Sequence, residues 1–284
     1  MSASVILDAQ AAADAPCGDT IDSVRHPAVA RVADVLRSRA HRPRTVLIDD
    51  AENIAQAIRA RVRIISVYTT PGERCTGIGL DVPDVDRHVL TEEVMRSLFH
   101  GEKRGRVFAL AQAPAPASWR DIAAARGDVV VLDGVSIAGN IGAIIRSACA
   151  FGAAALVLIG SGITSIYDRR IIRASRGLIF SIPVLLASRN ELELFVRTER
   201  MPLVSMTADA AAPLCAIAQI QERVAILMGS ERTGVSHTLG AMADQCYAVP
   251  MTPGVDSLNV SVAAALALYE RARAGQEGKS SSAG

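Results

Sequence analysis

Four consecutive apolar residues follow Asp128 in DVVVLDG (Asp128–Gly134), and a strand apolar on both faces belongs in a parallel sheet covered on either side. The same texture returns in ALVLIG (Ala155–Gly160), IPVLLA (Ile182–Ala187), PLVSM (Pro202–Met206) and VAILMG (Val224–Gly229). Helical stretches are expected at Ile141–Phe151, Tyr167–Arg176 and Glu191–Thr198 between the first four. YAVPM (Tyr247–Met251) and a last helix over Val260–Ala274 close the pattern. Such alternation predicts the α/β class, here a doubly wound domain.

A smaller α/β unit precedes it. Val29, Val32, Val35 and Leu36 form one stripe of a helix over Pro27–Ala40, followed by strand Thr45–Asp49 and helix Ala51–Arg61. Strand Arg63–Thr70 ends at the turn dipeptide Pro71-Gly72; helix Glu92–His100 and strand Arg106–Gln112 complete the unit. The proline-punctuated APAPA, Ala113–Ala117, reads as the start of a linker. The expected division is a flexible leader over 1–23, a small domain over 24–112, a linker over 113–126, the larger domain over 127–274 and a polar frayed tail over 275–284.

Composition removes several function classes. Hydrophobic residues at 50% against a net charge of +1 exclude disorder of the whole chain. Aromatics at 4% argue against recognition of bases mainly by stacking. No apolar run approaches the roughly 18 residues of a membrane span. The five histidines are scattered without a ligand pattern, so no metal is expected. The five cysteines are odd in number and lack a C-x-x-C pair, and no signal peptide is visible. Reduced thiols and a cytoplasmic location are the expectation.

Four segments concentrate chemistry. In Asp133–Gly152 a glycine-bearing turn between strand and helix can bring backbone N–H groups to an anion or cofactor, or can simply make a tight turn; it is not G-x-G-x-x-G. Arg146 lies among Ile144, Ile145, Ala148 and Cys149, where a buried charge would require a partner. Arg169, Arg173 and Arg176 follow i, i+4, i+7 spacing on one expected helix face, with Arg170 beside them, an arrangement suited to phosphates. MGSERTGVSH, Met228–His237, places Gly-Ser-Glu at the carboxyl end of a strand, where parallel sheets bind ligands, or makes an ordinary β-to-α turn with Ser or Glu as a helix cap. Ser257 and Asn259 stand at the entrance of the last helix, either as caps or facing a reacting group.

Taken together and in this order, the segments resemble the SPOUT superfamily, and within it the SpoU/TrmH-type RNA ribose methyltransferases. The resemblance rests on Asn140-Ile-Gly142-Ala-Ile-Ile-Arg146, on Met228-Gly229-Ser230-Glu231 with Gly234, and on Val249-Pro-Met251 through Ser257-Leu258-Asn259-Val-Ser261. The N-terminal unit and RASRG look closest to the thiostrepton/nosiheptide-resistance 23S rRNA methyltransferases. The resemblance implies a C-terminal SPOUT trefoil-knotted parallel-sheet domain with a smaller N-terminal L30e-like α/β domain that grips RNA. It also implies a homodimer, S-adenosylmethionine as methyl donor, and 23S rRNA as partner. The target would be the 2′-hydroxyl of an adenosine in the GTPase-associated, thiopeptide-binding region, and its methylation would give resistance.

Carried over by position, Arg146 is similar to the family's catalytic arginine, with Asn140 positioning it or the ribose and Glu231 orienting it. Ser257 and Asn259 would flank the reacting methyl. Met206, Thr207, Met228, Gly229, Ser230, Val249, Met251 and Leu258 would hold the cofactor, and Arg169, Arg173 and Arg176 the RNA. A guanidinium with a pKa above about 12 is a poor base; Arg146 is better suited to stabilising a developing alkoxide. Nine arginines against four acids over Val24–Arg63 give the small domain a local positive charge that the whole-chain balance hides. Two rivals remain: a SpoU-type tRNA or rRNA guanosine 2′-O-methyltransferase, and a noncatalytic RNA-binding protein on the same scaffold.

Overall fold

The computed structural model describes residues 20–73, 85–100 and 105–281, with side chains through 274. The chain forms two compact units, Met1–Pro114 and Ala115–Gly284.

The first unit contains strands β1 (Thr20–Ile21), β2 (Thr45–Asp49), β3 (Ile64–Thr69), β4 (Asp86–Leu90) and β5 (Val107–Gln112) in the order β1-β4-β3-β5-β2. Its helices are α1 (Pro27–Arg37), α2 (Ala51–Arg59) and α3 (Glu92–Phe99). Pro27 opens α1, and Nδ1 of His26 accepts the N–H of Ala28 at 3.2 Å. The expected leader is shorter than 1–23: Thr20 and Ile21 pair in parallel with Val89 and Leu90, and Ile21 is buried in the core. β4 had no sequence signal because Asp86 and Arg87, its first residues, are exposed.

The second unit contains β6 (Val129–Asp133), β7 (Ala155–Ile159), β8 (Val184–Ala187), β9 (Leu203–Met206), β10 (Ala212–Pro213), β11 (Ala225–Gly229) and β12 (Gln245–Ala248). They form one sheet, β10-β12-β9-β11-β6-β7-β8, parallel at every pairing. Around it lie α4 (Trp119–Ala124), α5 (Ala138–Ala150), α6 (Arg169–Ala174), α7 (Arg189–Glu199), α8 (His237–Gly240) and α9 (Val260–Ser281). β6 and β7 are buried at every position, as their apolar runs require. The chain winds from β6 outward to β8, then crosses to β9, leaving a reversal of direction between β6 and β11. Ligands bind at the strand carboxyl ends beside such a reversal.

At the opposite, amino end, Arg271 of α9 makes a two-pronged pair with Asp128 (Nε–Oδ2 2.8 Å, Nη2–Oδ1 3.1 Å) and donates to the Ile217 and Glu222 carbonyls. Arg223 donates to the carbonyls of Ile122, Ala123 and Gly127, tying α4 to the sheet. α9 runs to Ser281, past the expected end at Ala274 and into the segment expected to fray.

Two local expectations need correction. α5 begins at Ala138 rather than Ile141, so Gly139 and Asn140 lie in its opening turn rather than in a loop; Gly134, at φ +71°, makes the turn. Gly142 serves helix packing. A Cβ there would stand 2.3 Å from Cβ of Ala174 and 2.7 Å from the backbone nitrogen of Ser175. The second correction concerns the arginines. α6 starts only at Arg169, because the Asp168 carboxylate accepts the Arg170 N–H at 2.8 Å, and it stops at Ala174. Arg176 lies beyond the helix at φ +51° and is exposed, so it does not share a helix face with Arg169 and Arg173.

Gly142→Ala is therefore expected to destabilise the protein by about 2 kcal/mol through overpacking. Gly139→Ala should be neutral or slightly stabilising, since its nearest neighbour, Cγ2 of Ile137, is 4.0 Å away. Urea unfolding of both variants measures the contrast.

Candidate active site

The carboxyl ends of β9, β11 and β12 open into a cavity of about 550 Å³. Its floor is set by register: Met228 lies beside Met206, Met206 beside Tyr247, and Gly229 beside Asp133. All eight residues expected to hold a cofactor line it: Met206, Thr207, Met228, Gly229, Ser230, Val249, Met251 and Leu258. Glu231 and Ser257 line it as well. The thioethers of Met206, Met228 and Met251 and the side chains of Val249 and Leu258 supply polarizable apolar walls, and a few polar groups interrupt them.

Gly229 shapes this cavity in a way the sequence did not suggest. Besides lining the cavity, as expected of it, the residue admits the chain's own backbone. A Cβ on Gly229 would meet the carbonyl carbon of Gly234 at 2.1 Å and the nitrogen of Val235 at 2.2 Å. The loop after β11 thus folds back across the strand end. Ser230 and Gly234 exchange backbone hydrogen bonds (3.2 and 2.9 Å), and the Ser230 and Thr233 hydroxyls lie 2.7 Å apart. Gly234, at φ +65°, takes the left-handed conformation this return demands.

Three remote segments meet at the cavity rim. The side-chain amide of Asn259 donates to Oδ1 of Asn140 at 3.3 Å, and the Asn140 amide donates to Oε1 of Glu231. Asn259 also accepts from the backbone nitrogen (2.9 Å) and hydroxyl (2.6 Å) of Ser261, so it caps α9 and reaches Asn140 at once. The cap expected of Asn259 is present, and the same side chain links α9 to α5.

Arg146 stands apart from that group. It lies six residues beyond Asn140 on α5, about 9 Å along the axis, and does not line the cavity. Its side chain is exposed, whereas Ile141, Gly142, Ile144, Ile145 and Ala148 take the buried side of the helix. The partner expected for a buried guanidinium is not needed, because solvent meets it. On the next segment Asp168 pairs with Arg170 at 2.7 Å, while Arg169 and Arg173 are half-buried. Tyr167, stacked on Phe180, has its pKa pushed up to about 12 by burial, which removes it as a phenolate base near neutral pH.

The cavity also has walls to which the motifs assigned no individual role. Asp209, Val235, Ser236, His237, Val260 and Ala263 line it. Val260 and Ala263 could have been found from the i, i+3 spacing of the first turn of α9; Asp209, in the loop after β9, carried no signal. Among the described residues no cluster of three or more metal-ligating side chains occurs, and no helix is long and apolar enough to cross a membrane.

The profile of the SpoU rRNA methylase family matches residues 128–269, and that of the N-terminal part of thiostrepton-resistance methylases matches residues 18–125. A curated relative, the 23S rRNA (adenosine(1067)-2′-O)-methyltransferase of Streptomyces azureus, is 40% identical over 256 residues, covering 89% of this chain and 95% of that one. The chain belongs to the SpoU rRNA methylase family. Among solved members, an RNA 2′-O ribose methyltransferase superposes with a TM-score of 0.74 at 29% identity, over 91% of this chain and all of its own. The fold is shared as well by the SpoU methyltransferase AviRb of Streptomyces viridochromogenes in complex with AdoMet (TM-score 0.75, 22% identity, 89% of this chain and all of that one).

In this SpoU chain Gly229→Ala should separate the Ser230–Ser236 loop from β11 and lower the melting temperature by roughly 5 °C or more, read by calorimetry.

Proposed function

We propose that this chain transfers a methyl group from S-adenosylmethionine to the ribose 2′-oxygen of an adenosine in the thiopeptide-binding region of 23S rRNA, giving resistance to thiostrepton-type antibiotics. The observation that carries the reading is the Asn259–Asn140–Glu231 string at the rim of the 550 Å³ cavity. It brings the three family motifs to one place, in a chain 40% identical to an enzyme named for this reaction. Cytoplasmic ribosomes are the setting that fits an rRNA substrate and the free thiols of Cys149, Cys215 and Cys246.

The cavity fits the donor. Its apolar walls suit an adenine ring and a thioether chain, and its polar groups at Ser230, Ser257 and Asp209 can meet hydroxyl and ammonium groups. When bound, the donor supplies a methyl already activated by sulfonium charge. The protein's task is alignment and electrostatics. Glu231, Asn140 and Asn259 hold one another across three segments, so the ribose meets a pre-set wall. Arg146 stabilises the developing alkoxide and the adjacent phosphate, and the proton leaves to water. Arg169, Arg173 and Arg176 contact the RNA backbone, and the arginine-rich N-terminal unit docks the substrate.

The enzyme works as a homodimer in this reading. Val262, Leu266 and Tyr269, spaced i, i+4, i+7 on α9, are exposed large apolar side chains, as is Ile137 just before α5, the helix against which α9 packs. A second copy is the natural cover for such a stripe. Arg146, outside the cavity of its own chain, is then available to the cavity of the other.

Purified protein should add one methyl to an isolated 23S fragment carrying the target adenosine, read by mass spectrometry. It should add none when that nucleotide is 2′-deoxyadenosine or guanosine. Equal methylation of the guanosine fragment would show a different target. Co-expressing Arg146→Ala with Gly229→Ala should restore about a quarter of wild-type turnover to the pooled dimers, about half of which are mixed with one intact site each, whereas each variant alone should be inactive. No restoration would mean that Arg146 acts within its own chain.

A further inference from the structure

The mechanism above gives no task to the buried acid that ends β6. Asp133, the last residue of β6, is 4% exposed, and an acid is rarely so buried unless it is paired or hydrogen-bonded. Its Oδ2 accepts the backbone N–H of Ser236 at 2.7 Å. The two residues lie on elements more than a hundred positions apart, and nothing in secondary structure requires them to meet.

We infer that Asp133 is the positioning residue of the donor pocket: its carboxylate latches the Ser230–Ser236 loop onto β6 and holds it in the shape that admits S-adenosylmethionine. The inference rests on the donor-site reading given above. Three observations carry it. In register, Asp133 lies directly beside Gly229, whose missing side chain leaves the space through which the loop returns. Ser236 follows the Gly234–Val235 crossing immediately and is the N-cap of α8, so its N–H has no partner within the helix and the Asp133 carboxylate satisfies it. Behind Asp133 the turn is held in turn: the N–H of Gly134 donates to the carbonyl of Ile159 at 2.8 Å, tying β6 to β7.

The loop so held is bounded by Ser230, bonded to Gly234, and by Ser236, bonded to Asp133. Glu231 lies between them and meets Asn140. One carboxylate on β6 thereby sets both the wall of the cavity and the acid that joins the three motifs. Asp133 touches no reacting atom; it acts through a main-chain N–H.

The test uses the full-length protein, calorimetric titration with S-adenosylhomocysteine, and amide hydrogen exchange of residues 230–237. Asp133→Ala should weaken binding by about tenfold or more, in line with the loss of a charged hydrogen bond, and should speed exchange of 230–237 without speeding that of β6 and β7. Asp133→Asn keeps an acceptor oxygen and should restore both affinity, to within about threefold, and protection. If the alanine variant does not fold, the asparagine variant decides alone, and anything less than that rescue overturns the inference. It is likewise overturned if alanine binds as wild type, or if asparagine loses binding as alanine does. Failure of the wild-type protein to bind S-adenosylhomocysteine would instead overturn the donor-site reading itself.

Discussion

At Gly229 one stretch of backbone crosses another at a separation no side chain tolerates, and the cavity exists because of it. If the loop after β11 could not lie across the strand end, Ser230 and Gly234 could not pair, Ser236 could not reach Asp133, and Glu231 would not face Asn140. The strands beneath supply the rigidity. β6 and β11 are parallel neighbours, and the amino end of β6 is fastened by the Asp128–Arg271 pair. The sheet is thus anchored at one end and functional at the other, as parallel sheets generally are.

Much of this could be read from the residues, and the exceptions have physical causes. Strands apolar on both faces announce themselves, so β6, β7 and β11 fall where the runs DVVVLDG, ALVLIG and VAILMG place them. Glycine misleads, because it marks turns and close packing alike: Gly134 makes the turn after β6, whereas Gly142 clears space for Ala174 inside a helix. Helical spacing misleads where a helix stops early, as at Ala174, which removes Arg176 from the face assigned to it. Very short or largely exposed strands carry weak patterns, and the two-residue edge strand β1 and the half-exposed β4 passed unnoticed for that reason.

The pocket divides similarly. Eight residues carried over from motifs line the cavity, because motifs preserve the backbone at strand ends. Asp133 and Ser236 did not stand out; their roles come from a contact between distant segments, and neither residue type is unusual at its position. Arg146 lies between these cases: its identity was clear, but an apolar neighbourhood in sequence suggested burial, and the helix turns it to solvent. Adjacency along a chain is a poor guide to environment once a helix rotates each residue about 100° from the last.

The string from Asn259 to Glu231 has a built-in direction. A carboxylate offers only acceptors, so Asn140 must turn its NH₂ toward Glu231 and its oxygen toward Asn259, which in turn must point its own NH₂ toward Asn140. The Ser261 contacts impose the same orientation from the other side, since Asn259 has to present oxygen there. Both amides are therefore locked against flipping, and the negative pole of the rim lies at the β11 side. Any group arriving at this edge meets dipoles whose sense was settled when the chain folded.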